Sequence, residues 1–591
     1  MIRLASLLIL TMLAARASAA TRPAAGPFPL NGWQLHEYNM PKLEEAVRRA
    51  PDYGVNFLIL SHEFFRSVEG FLASTDTADP ANPPAYVKDL HTPEYFRIIP
   101  GWQSDLRRIG DLATSKGIPY YLWIHEFDDV PKRFIKDGRV DMDDPELFPY
   151  LEKRYTRLLE AVPGTAGFVL TLHECDFKVF RNDHGGVSTK DDVPERIRRL
   201  GQFFRDFLAK HKKQFILRNF FYEPIEMQYF QKALAALPDD IIVMSKDTTH
   251  EFHPFYPWDP LHGAVGGKRQ IIEIDLGVEK AWSSRGAYAQ TDYIRRVALR
   301  AREKGLAGMV GRARMHWDKP FEDMHEVNLY AFSRFMRDPG LGVDAVLSDW
   351  TRKRYPAPAV PHLVSALNRS EDIQHRGRWH LQYWLTKSIG SEWGDYPYYY
   401  SRVRARSRYK WSTDPADKAM EEKLYHPDAD LFRRLVAEKD DVIAQVQAAQ
   451  RDLRAASRHL TAEQAAPLRD DFDFLLDAAL LQREWVRAYF AMRMYMDKPA
   501  AEYRDVVEDA LAQMEQIERT PGVTYGLDRA TGRRYHIDDF ALEMRWRMAN
   551  RLRARAEDER ILATADEQIL WATQGGPPAG RQAPSAAETG R

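Results

Sequence analysis

The chain has 591 residues, with 84 basic side chains against 85 acidic ones and a formal net charge of −1. That balance excludes the strongly basic face that nucleic acid or an anionic membrane selects, and a single cysteine, Cys175, excludes an internal disulfide. A chain this long has room for a large barrel plus an appendage, held together by its core without covalent staples.

The N-terminus carries Arg3, an apolar stretch from Leu4 to Leu13 and the small residues Ala17-Ser18-Ala19. This pattern predicts a cleavable export signal over residues 1–19 and a periplasmic or secreted protein. No segment reaches the roughly 20 apolar residues that a membrane span needs. From Asn31 to about Asp338, strand-like and helix-like patterns alternate. The first strand is Gly32 to Leu35, followed by a helix with Leu43, Ala46, Val47 and Ala50 on one face. Val55 to Leu60 is a continuous apolar run, as a strand covered on both faces requires. Ile118 to Ile124 is the third strand, and a helix ending at Pro163-Gly164 hands over to the fourth, Gly167 to Leu172. Val193, Ile197, Leu200, Phe204 and Phe207 form the stripe of the next helix, and Phe215 to Phe221 is strand five. Ile241 to Ser245, Gln270 to Leu276 and Leu306 to Gly311 complete eight strands, the last after a helix from Tyr293 to Lys304. The strict order predicts an α/β fold of the (β/α)8 TIM-barrel type over 28–340 and disfavours an open doubly wound sheet.

From Val343 the strands stop, and stretches such as Phe472, Leu475, Leu476 and Ala479 carry helical periodicity. An all-helical C-terminal domain is predicted over 341–573, then a disordered tail, 574–591, rich in Gly, Pro, Ala and Ser. Between Trp379 and Trp411 lies an aromatic-rich segment with Trp384, Trp393 and Tyr398. It reads either as a roof over the barrel mouth or as a packing seam.

Five times a strand-like stretch runs into a His-Glu pair, at His36-Glu37, His62-Glu63, His125-Glu126, His173-Glu174 and His250-Glu251. In a (β/α)8 barrel the C-terminal ends of all strands meet at one mouth, so these carboxylates converge. Cleavage of a glycosidic bond needs one protonated carboxyl for the leaving oxygen and a second carboxylate as base or nucleophile. Glu174 is the candidate acid, with His173 beside it and the apolar flank of Leu172 and Phe177 raising its pKa. Opposite stand Glu251 and Glu279. The content of 14 Trp and 27 Tyr suits sugar stacking as well as core filling.

On Arg218 through Tyr222, Lys246 through Pro257, Glu273 through Glu279, and Asn328 through Phe332 followed by Asp338-Pro339, the sequence resembles the glycoside hydrolase family 67 α-glucuronidases. The resemblance spans roughly Gly167 to Tyr355 and implies an inverting enzyme. It implies base-side carboxylates at Glu251 and Glu279, an acid at Glu174 after a shift of one position, and a substrate-holding arginine at Arg218. A guanidinium is a two-pronged donor for a uronate carboxylate. The family's aspartate is replaced by Glu251, its strand-four lysine by Thr171, and its N-terminal α/β domain is missing. Lys178 and Lys246 are candidates to replace that lysine, against a reading as solvated surface charge.

The expected protein is an exported glycosidase acting on an oligosaccharide or polysaccharide that bears a uronic acid, without metal or cofactor. Glu174, Glu251 and Glu279 are the expected catalytic residues. Arg218, His173, His250, Lys246, Glu37, Glu63 and Glu126 are expected to line the substrate site. Two other classes compete. A metal-dependent barrel hydrolase would use His125, His173, His250 and His253, and a sugar-binding protein would use the mouth without catalysis.

Overall fold

The computed structural model describes residues 26–36, 39–60, 102–127, 130–173, 175, 177–249, 252–277, 286–314, 321, 324–383, 411–412, 414–520 and 537–574. Eight parallel strands close into a barrel: β1 (Leu30–His36), β2 (Phe57–Leu60), β3 (Tyr120–His125), β4 (Gly167–Thr171), β5 (Gln214–Arg218), β6 (Ile242–Lys246), β7 (Arg269–Asp275) and β8 (Gly308–Arg314). Closure pairs β1 with β8, from Leu30 opposite Gly308 to His36 opposite Arg314. The strands are buried on both faces because two cores use them. Phe57, Ile59, Val169, Ile216 and Met244 point inward and fill the barrel, while Leu58, Leu60, Leu170 and Leu217 point outward under the helices. At the bottom of β1 a side chain on Gly32 would meet the Phe57 ring at 2.2 Å, so glycine there makes room for the inner aromatic.

Amphipathic helices cover the outside: α1 (Met40–Arg49), α2 (Trp102–Ser115), α3 (Leu147–Ala161), α4 (Val193–Lys210), α5 (Pro224–Ala235), α6 (Thr291–Glu303) and α7 (Glu326–Arg337). The sequence pattern predicts eight strand-helix units, but among the described residues no helix joins β6 to β7. That connection holds Pro254, Pro257 and Pro260 at three-residue intervals, then Gly263, Gly266 and Gly267. Repeated loss of the backbone donor leaves a helix nothing to propagate on. The segment folds instead on its own bonds, with the Thr249 amide donating to the Pro257 carbonyl at 3.0 Å. A second feature that the periodicity did not predict is a small sheet of Ile135–Lys136, Arg139–Asp141 and Val187–Ser188. Its hairpin turns on Asp137 and Gly138, both at positive φ (52° and 73°), the geometry of a two-residue turn.

Among the described residues eight helices follow: α8 (Val343–Arg354), α9 (Val360–Arg378), α10 (Pro415–Tyr425), α11 (Ala429–Ser457), α12 (Ala462–Asp497), α13 (Ala501–Arg519), α14 (Ile537–Ala549) and α15 (Arg551–Gln574). Their core, which includes Trp350, Leu435, Phe472, Trp485 and Met514, also takes in Ala287, Ala289, Met324 and Val327 from the barrel side. Two buried carboxylates lock this junction. Glu371 of α9 accepts from the Asp292 and Tyr293 amides at 3.0 Å each, satisfying the open N-terminus of α6. Glu326 of α7 accepts from the Tyr53 hydroxyl and the Trp350 indole and pairs with Arg354 at 2.9 Å. No described helix is long and apolar enough to cross a membrane. The predicted export signal over 1–19, the tail beyond Gln574 and most of the 379–411 aromatic segment lie outside the described residues.

Candidate functional site at the barrel mouth

The strand pleat alternates faces, so inward-facing residues at the strand ends or two positions short of them form the floor of the mouth. They include Gln34 on β1, Trp123 on β3, Thr171 on β4, Arg218 on β5, Lys246 on β6, Glu273 on β7 and Arg312 on β8. Glu273 is fully buried at their centre. Arg218 grips it with two nitrogens, Nε to Oε2 at 2.7 Å and Nη2 to Oε1 at 3.2 Å, and Arg312 Nε approaches Oε1 at 3.7 Å. Burial by itself would push the Glu273 carboxyl up. The charges of Arg218, Arg312 and Lys246 outweigh it and hold the carboxyl below its usual range.

Aromatic faces carry the rest of that positive charge. Arg218 lies 4.7 Å from the Trp123 ring, Lys246 Nζ sits 3.9 Å over Phe220, and Arg312 is 5.1 Å from Phe252. Thr171 accepts from the Trp123 indole and from Arg218 Nη1 at 3.4 Å. Lys246 is 5% exposed, which removes the reading as solvated surface charge.

The loop after β4, which carries Glu174, is held from beneath. Glu126 is buried, and both of its oxygens accept from the His173 amide, at 3.0 and 2.9 Å, while Oε1 also accepts from the Val179 amide at 3.1 Å. Burial pushes its carboxyl up, and these amides offset part of the rise. Its carboxylate is thereby committed to these backbone amides and the Cys175 thiol. His173, just past the end of β4, is buried with φ at 84°, the left-handed region that a non-glycine residue rarely enters. Its Nε2 donates to Glu226 Oε1 at 2.7 Å, and its ring packs edge-on to Tyr222 with centroids 4.6 Å apart. Glu226 also accepts from the Tyr222 and Glu223 amides at the start of α5. Burial opposes its ionisation, yet the His173 charge and hydrogen bond, with those amides, hold its carboxyl below the usual range.

The structure therefore brings Arg218 and Lys246 to one floor and His173 and Glu126 to one loop. Glu174, Glu251, Glu279, His250, Glu37 and Glu63 lie outside the described residues. Of the histidines considered as metal ligands, His173 bonds Glu226, and His253 Nδ1 accepts from the Trp379 indole at 3.2 Å. Among the described residues no group of three His, Cys, Asp or Glu side chains is arranged to hold a metal ion. Sequence reasoning missed Glu273, Arg312, Gln34 and Trp379 as parts of the site. Glu273 and Arg312 sit two residues before the ends of their strands, a period-two signal that becomes visible once the ends are known. Trp379 comes from the end of α9, so the helical region buttresses the β6 loop.

Behind that loop two buried groups titrate in opposite senses. Burial pushes the Asp259 carboxyl up to about 6, against hydrogen bonds from the Leu261 amide and the Asn219 side chain. Burial pushes the His262 imidazole down to about 4. Folded Asp259 takes a proton more readily than the unfolded chain, so its contribution is full below about pH 4 and lost as pH rises through about 6. Folded His262 resists protonation, so its contribution is full above about pH 6.5 and lost as pH falls toward about 4. The two slopes nearly cancel. Relative to wild type, Asp259→Asn is expected to gain stability from about pH 4 to about pH 6.5 and His262→Gln to lose it, each by roughly 3 kcal/mol. Urea denaturation at several pH values in that window measures both.

Fold and floor together define a closed (β/α)8 barrel with a charged mouth and a helical C-terminal region. No protein-family model and no curated protein matches the chain. Among solved structures it is similar to a GH138 enzyme targeting pectin rhamnogalacturonan II, with a TM-score of 0.57 and 14% identity over 93% of this chain and 87% of that one. An O-GlcNAc hydrolase of Thermobaculum terrenum has a TM-score of 0.42 and 11% identity over 93% of this chain and 96% of that one. CpGH84B has 0.40 and 11% over 88% and 77%. At such identities it is the shared fold that the first likeness establishes.

Proposed function

We propose that the protein is an exported glycoside hydrolase that cleaves a uronic acid from a glycan with inversion. The observation that carries this reading is the floor of the mouth, where Arg218, Lys246 and Arg312 gather around Glu273 at the strand ends. Guanidinium and ammonium donors with aromatic support suit a sugar carboxylate. Further support comes from the family 67 resemblance and from a scaffold shared with a GH138 enzyme that targets pectin rhamnogalacturonan II. The apolar N-terminal stretch before Ala17-Ser18-Ala19 supports export.

In this reading Glu174 protonates the glycosidic oxygen, and Glu251 or Glu279 activates water on the opposite face, across a carboxyl separation of roughly 6.5 to 9.5 Å. Glu126 and His173 hold the β4 loop while the acid works. Arg218 keeps its guanidinium plane fixed by Glu273 and, together with Lys246 and Arg312 at the same carboxylate, receives the uronate. Hydrolysis across a panel of uronic-acid and neutral oligosaccharides tests the proposal, with the anomer of the first product read by NMR. Release of a uronic acid as the inverted anomer is expected. Cleavage of neutral sugars alone would remove the assigned role of the cationic floor.

A further inference from the structure

The floor contains a side chain that no described residue satisfies. Gln34 is fully buried on β1, and among the described residues neither its amide nitrogen nor its carbonyl oxygen has a hydrogen-bond partner. Its chain neighbours Trp33 and Leu35 lie in the outer core under the helices, so Gln34 faces the barrel axis. Its ladder partners, Arg312 on β8 and Ile59 on β2, face the same way. A buried amide without partners costs about 1–3 kcal/mol, whereas an apolar side chain of similar size would fill the same place at no such cost.

We infer that Gln34 is a substrate-contacting residue that reads the sugar hydroxyl next to the carboxylate. The inference rests on the proposed function in taking the ligand to be a uronic acid. An amide both donates and accepts, which suits a hydroxyl, whereas the neighbouring Arg312 only donates, which suits a carboxylate. Adjacent strands lie about 4.8 Å apart, so the side chains of Gln34 and Arg312 can converge on the vicinal carboxylate and C4 hydroxyl of one hexuronic acid. The orientation of that hydroxyl distinguishes glucuronic from galacturonic acid. Gln34 therefore sets which of the two the mouth prefers.

Calorimetric titration with D-glucuronate and with D-galacturonate, on wild type and Gln34→Met, tests this, with Gln34→Leu as a second replacement. The wild type is expected to prefer one acid by at least about tenfold in Kd, or about 1.4 kcal/mol. Gln34→Met is expected to bind both within about threefold of one another, with a Tm no lower than wild type. Equal binding of both acids by the wild type, retention of the preference by the variant, or a lowered Tm would each overturn the inference while leaving the proposed function standing. So would failure of both replacements to fold, which would make Gln34 a structural residue. Binding of neither acid by the wild type would overturn the proposed function and this inference with it.

Discussion

Glu174→Gln is expected to lower kcat on an oligosaccharide with a poor leaving group by about 10²–10⁴-fold, the usual contribution of a positioned general acid. The amide keeps the shape of the side chain and loses the proton. An aryl glycoside whose leaving group needs no protonation is expected to retain most of its rate, because only proton donation has been removed. The pair of substrates thus separates loss of the acid from collapse of the β4 loop, which would slow both. The loop has its own supports, since the Glu126 carboxylate holds the His173 amide and Glu226 holds the His173 ring. Near wild-type turnover of the poor-leaving-group substrate would show that Glu174 is not the acid.

Glu273→Gln is expected to destabilise the fold by about 3–5 kcal/mol, because it removes the buried anion gripped by Arg218 and approached by Arg312. Arg218 is 1% exposed and cannot turn to bulk water to recover its solvation. The effect has a defined pH sign. The Glu273 carboxyl is held below its usual range, so its contribution is present above the ordinary carboxylate pKa and is lost as pH falls through the lower folded value. The variant is therefore expected to unfold at lower urea concentration than wild type near neutral pH. The gap should narrow as the solution is made acidic. A gap that widened in acid would contradict the assignment of Glu273 as the ionised centre of the floor.

The barrel was legible because parallel strands buried on both faces must be apolar along their whole length, as Phe57–Leu60 is. That no helix follows β6 among the described residues was legible too, in the prolines at 254, 257 and 260, but an expected repeat of strand and helix obscured it. The Asp137-Gly138 hairpin was likewise written in a two-residue turn signal. The His-Glu pairs proved less uniform than their repetition implies. At β3 and β4, Glu126 and His173 form one supporting device with Glu226, a residue 53 positions beyond His173 that periodicity does not single out.

Other parts of the site have no local signature. Glu273 and Arg312 look in sequence like ordinary strand charges, and their meaning comes from barrel closure, which turns them toward Arg218 and Lys246. Trp379 reaches the β6 loop from the end of a helix in the following region, more than 120 residues from His253. The amino-acid sequence by itself determined the order of strands, the two-sided burial that makes them a barrel, and the helical region after it, because these follow from local periodicity. Only the tertiary structure decided which charges share one buried floor and that Gln34 faces it with no partner among the described residues, because those facts depend on closing a sheet whose first and last strands are some 270 residues apart.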